Sequence, residues 1–100
     1  MSICTIQPQE ETGTYMFTGR LYATAAIAET LSPAEISQIL SAVRKRVAEH
    51  NGADYLFVFT NDEEERIFAI DQLNREMKAA ASPVWVAKND IVTVLFANEY

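Results

Sequence analysis

The chain reads as an α+β domain: an antiparallel, or mixed, β-sheet with one main amphipathic helix over about 33–50 packed on one face and a shorter helix near 72–80. Three observations predict this. Ser32–Gly52 has a legible helix start, apolar stripe and stop. Short runs such as YLFVFT and IVTVLF are rich in β-branched and aromatic residues and too brief for helices. With 100 residues, the chain 1–100 holds one core and no second domain.

Ile3–Ile6 suits a short first strand, and Pro8–Gly13 a polar connector. Tyr15 to Tyr22 is β-favouring, read as one bent strand or two, with Gly19 at the bend. Ala23–Leu31 is alanine-rich, but Thr24, Ile27 and Thr30 weaken a helix, so strand end and connector are expected. Next comes the main helix. Ser32 caps it, Pro33 pre-sets the first turn and Glu35 completes a capping box. Ile36, Ile39, Leu40, Val43 and Val47 recur at the 3.6-residue period and must be buried. Arg44, Lys45, Arg46 and His50 lie toward the negative end of the helix dipole, and Asn51-Gly52 stops the helix.

Tyr55–Thr60 reads as a central strand. Residues 61–80 admit two readings. One is a long helix from Asn61 or Asp62, with Ile67, Ile70, Leu73 and Met77 on one face. The other, which we favour, is a hairpin loop at Asn61–Glu64, a returning strand over Glu65–Asp71 and a helix over Gln72–Ala80. Ser82-Pro83 ends that helix, and Val84–Ala87 with Ile91–Phe96 reads as a terminal hairpin turning at Lys88–Asp90. One helix cannot cover every aromatic of such a sheet. The second face is expected to be partly bare, or closed by another helix or subunit.

From Glu65 onward the chain resembles a family of small uncharacterised proteins carried on bacterial plasmids and prophages. The resemblance rests on Glu65, Arg66, Ile67, Phe68, Ile70 and Asp71, then Asn74-Arg75 and Ser82-Pro83, and on Val92, Leu95, Ala97, Glu99 and Tyr100. HNGADYLFVF departs from that family's acidic-aromatic stretch. The resemblance implies a mobile-element context and a hairpin at 61–71. It brings no activity and no catalytic residue.

The chemistry-bearing residues are few. His50 is the one histidine, placed where the helix dipole accounts for it, and Cys4 is the one cysteine, with no motif around it. Together they cannot furnish four zinc ligands. TNDEEER lacks the glycine and spacing of a calcium loop, and no phosphate-binding glycine pattern occurs. No catalytic residue, metal or cofactor is therefore expected, and the chain is read as not an enzyme. It also lacks an apolar run long enough to cross a membrane, and the N-terminal residues do not resemble a secretion signal. A single cysteine fits a reducing compartment, so a cytoplasmic location is expected.

The formal charge of −6 argues against nucleic acid and for a partner with a basic surface. Asp62, Glu63, Glu64 and Glu65 are the densest acidic run and the first candidate protein-binding site. A solvated loop is the plainer account of them. Arg44, Lys45, Arg46 and Lys88 are the alternative, a nucleic-acid site at the basic end of the main helix. The functional expectation is a protein-binding module of a mobile genetic element, an acidic inhibitor of a host or defence factor. The alternative is a nucleic-acid-binding regulator. Homodimerisation through the aromatic strands is compatible with both.

Overall fold

The computed structural model describes residues 4–100. Its five-stranded sheet has the order β1-β3-β4-β5-β2, with β1 at Thr5–Ile6, β2 at Arg20–Ala23, β3 at Leu56–Thr60, β4 at Arg66–Asp71 and β5 at Ile91–Phe96. Strands β3, β4 and β5 form an antiparallel meander, β1 joins the β3 edge antiparallel, and β2 lies parallel to β5. The sheet is mixed and the fold is α+β. Strands β2 and β3 run the same way, so helices α1 (Ala25–Thr30) and α2 (Pro33–His50) form the crossover between them.

Strand alternation decides the two faces. Phe57 and Phe59 of β3, Ile67 and Ala69 of β4, and Val92, Val94 and Phe96 of β5 are buried on one side. Against them pack Ile39, Leu40, Val43 and Val47 of α2 and Ile27 of α1, all in one cluster. The capping box is present: the Glu35 amide donates to Ser32 Oγ at 3.1 Å, and the Ser32 amide donates to Glu35 Oε1 at 2.9 Å. Asn51 takes the left-handed conformation with φ 52°, and Gly52 follows at φ 124°. Gly52 tolerates no side chain, since a Cβ there would lie 2.7 Å from the Gly13 carbonyl oxygen.

The hairpin reading of residues 61–71 is the observed one: β3 and β4 pair directly, from Leu56 opposite Ile70 to Thr60 opposite Arg66. A short helix α3 follows at Arg75–Ala80, capped by Asn74 Oδ1, which accepts from the Met77 amide at 2.8 Å. The first-strand expectation is met at Thr5–Ile6, while Ile3 lies outside the described residues. Tyr15 to Tyr22 resolves into two pieces, a single bridge from Tyr15 to Ala53 and strand β2.

Two expectations are corrected. Val84–Ala87 is not a strand but part of helix α4, Pro83–Asn89. Ser82-Pro83 does end α3, yet it also starts the next helix. Ser82 Oγ accepts from the Trp85 amide at 3.3 Å and Pro83 occupies the first turn, a start signal that outweighs the β propensity of Val84, Trp85 and Val86. Strands β4 and β5 still pair, but through α3 and α4 rather than a tight turn. Likewise Ala25–Thr30 is helix α1, not strand end and connector, because Thr24 caps it and Ile27 finds a fully buried seat.

Within the core cluster, Phe17 is buried at φ 54°, a strained position for an aromatic residue. Its amide donates to Asp71 Oδ2 at 2.9 Å and its ring meets Phe57 edge-on at 5.2 Å. Asp71 is itself 2% exposed. Desolvation raises its pKa above the ordinary 3.8, opposed by the Phe17 hydrogen bond and by the charge of Lys78. Lys78 Nζ ties α3 to the start of β5 through Asp90 Oδ2, 3.1 Å away, and donates to Thr18 Oγ1 at 3.2 Å.

Candidate interaction surface

The side of the sheet turned away from α2 carries Leu56 and Val58 of β3, Phe68 and Ile70 of β4 and Thr93 of β5, all half-buried and all cross-strand neighbours. None of them belongs to the cluster under the helices. Tyr22 on edge strand β2 lies opposite Thr93 and is 65% exposed. Beyond β5 a 3-10 turn over Ala97–Glu99 leads to Tyr100, whose ring meets Phe68 edge-on at 5.7 Å while remaining exposed. A hydrogen bond to Tyr100 is the first cause of the raised pKa of the Tyr55 hydroxyl. Arg66 and Arg20 mark opposite ends of this face, and no strand residue on it is acidic. The face is an apolar and aromatic surface with its charges at the ends.

At one end stands the acidic turn. Asn61, 6% exposed, organises it. Its Oδ1 accepts from the Glu63 amide at 3.0 Å and from the Glu65 amide at 2.9 Å, and its Nδ2 donates to Glu65 Oε1 at 3.1 Å. The Asn61 amide closes the hairpin onto the Glu65 carbonyl at 3.1 Å, and Glu64 adopts φ 63°. Asp62, Glu63 and Glu64 are exposed and, among the described residues, their carboxylates make no hydrogen bond or ion pair. The four predicted acidic residues are thus brought together, but Glu65 is bound back to the turn. The sequence reading placed Asn61 at the start of this turn but did not assign it the role of holding the turn together. An asparagine immediately before an acidic run in a hairpin loop is the signal that points to it.

The alternative basic set is not gathered. Arg44 and Lys45 are exposed on α2, and Arg46 turns toward the Pro8–Thr12 segment. Lys88 sits at the end of α4, where its carbonyl accepts from Arg20 Nη2 at 3.2 Å. Among the described residues no hydrogen bond joins Lys88 to Arg44, Lys45 or Arg46. Cys4 is half-buried beside the core, and burial first, then Glu35 and Asp62, push its thiol above the ordinary 9.0. That environment disfavours the nucleophilic thiolate. Among the described residues no group of three His, Cys, Asp or Glu side chains is placed to hold a metal ion, and no helix is long and apolar enough to cross a membrane.

Comparison of the chain with protein-family models, with curated proteins and with solved structures finds no match in any of the three. The resemblance over Glu65–Tyr100 gains no support from them.

Proposed function

We propose that the chain is a non-enzymatic protein-binding module that presents the Asp62–Glu65 turn and the adjoining open sheet face to a partner with a basic rim and an apolar centre. The observation that carries this reading is the Asn61 scaffold, which holds on a fixed turn three carboxylates that have no partner among the described residues, at the edge of an apolar face outside the core under α1 and α2. Preorganised charge lowers the ordering cost of association, and the apolar face supplies area to bury. An acidic inhibitor of a host or defence factor, encoded by a mobile element, is its concrete form. A second copy of the chain is a further candidate occupant of the face, which light scattering would detect as a dimer.

The test is affinity capture from host lysate with the parent chain, with Glu63→Lys/Glu64→Lys, with Asn61→Ala and with Phe68→Asp. A partner held by the parent is expected to be lost on charge reversal. It should be weakened by Asn61→Ala, which keeps every carboxylate but frees the turn. Recovery of that partner unchanged with the charge-reversed chain overturns the reading. Nucleic-acid binding through Arg44, Lys45, Arg46 and Lys88 has less support, because the four are split between two elements of a chain with net charge −6. Salt-sensitive retention of DNA or RNA at low ionic strength would favour it instead.

A further inference from the structure

A cleft of about 290 Å³ opens on the other side of the molecule, between α2 and the strap Pro8–Thr12. The strap is pinned by Gln9, whose Nε2 donates to the carbonyls of Leu56 at 2.6 Å and Asp54 at 3.1 Å, while its Oε1 accepts from the Asp54 amide at 3.1 Å. One wall carries the Arg46 guanidinium and, one helical turn on, the His50 ring, and both line the cleft. The facing strap carries Glu10 and Glu11, and the floor is Gly52, Ala53 and Phe57. Among the described residues, the side chains of Arg46, His50, Glu10 and Glu11 make no hydrogen bond or ion pair with one another or with any other group. Arg46 is half-buried, and among the described residues its guanidinium has no protein partner.

We propose that this cleft is a binding site for a small zwitterion with an apolar body, of the class of a free aliphatic or aromatic amino acid. The ligand carboxylate pairs with Arg46 and a ring N–H of His50, its ammonium with Glu10 or Glu11, and its apolar group rests on Ala53 and Phe57. A simple anion would meet Arg46 but would also face two carboxylates on the strap, and a simple cation would face the reverse. Only a ligand of both signs satisfies both walls. The volume lies at the lower end of ligand pockets, which suits a metabolite rather than a nucleotide or peptide. This site does not depend on the protein-binding reading.

The experiment is a ¹H–¹⁵N titration of the whole chain with L-leucine and L-phenylalanine, beside N-acetyl-L-leucine and L-leucine amide, each of which lacks one charge. Saturable shifts are expected at Arg46, His50 and Ala53 with the free amino acids, and roughly tenfold or weaker affinity for each blocked form. Arg46→Gln and Glu10→Gln/Glu11→Gln should each lose a similar factor with unchanged thermal unfolding, whereas Glu63→Lys/Glu64→Lys should bind as the parent does. Absence of saturable shifts at millimolar ligand overturns the proposal. So does equal binding of N-acetyl-L-leucine, which would make the cleft a plain anion site, and so does full affinity in Arg46→Gln.

Discussion

At the scale of single residues, Asp71 is the one whose chemistry the fold most constrains. Its buried carboxylate is held partly by the amide of a left-handed Phe17, and its pKa is raised chiefly because burial disfavours the charge. A carboxyl whose folded pKa exceeds its unfolded value binds more protons folded than unfolded. Its ionisation therefore subtracts stability as pH climbs from about 3.8 through the folded value, and the cost is full above that. Asp71→Asn keeps an acceptor for the Phe17 amide and removes the titration. The difference in unfolding free energy between Asp71→Asn and parent, from urea melts at pH 4 and pH 7, should move in favour of the variant at the higher pH. A difference that stays constant or moves the other way would show that Asp71 is ionised at little cost. The strand that carries Asp71 was legible in RIFAID, where the structure puts Ile67, Ala69 and Asp71 on the buried face. The partner of Asp71 was not, because nothing in YMFTG announces that Phe17 leaves the strand.

At the scale of elements, capping decided more than propensity did. Helix α2 could be read from its ends and stripe because local and tertiary signals agree there. Helices α1 and α4 went unread because alanine beside threonine, and valine beside tryptophan, carry mixed propensities. The cap residues Thr24 and Ser82 settled both in favour of helix. Helix α4 buries no side chain, so its stability leans on that start. Ser82→Ala should therefore cost about 1 kcal/mol and show first as faster amide exchange over Val84–Asn89, with α2 unaffected. If exchange accelerates equally across the chain, α4 is not an independently opening unit. The hairpin at 61–71 was the favoured reading, from two aromatic runs across a polar turn, although the acidic run imitates a helix N-terminus equally well.

At the scale of the whole molecule, helices α1 and α2 pack on one face of the sheet, and that asymmetry is what leaves a candidate surface at all. The imbalance itself was legible, since one amphipathic helix cannot shelter so many aromatics. The placement of the exposed tyrosines was not, because Tyr22 and Tyr100 reach the open side only through β2 lying parallel to β5 and the turn after β5. Ile39 stands where the α2 stripe meets the core and is 1% exposed. Ile39→Asp should abolish cooperative unfolding by buried-charge desolvation, read as loss of the thermal transition and of near-ultraviolet circular dichroism. A retained transition would mean that the sheet folds without α2. The Gln9 amide also bears on how copies of the chain meet. By occupying backbone groups of residues 54–56 beside the two-residue strand β1, it leaves that border of the sheet little free ladder to offer a neighbour. The opposite border, β2, exposes Arg20, Leu21 and Tyr22. Among the described residues β2 is the longer free border, so any edge-to-edge association through it would close on a symmetric pair.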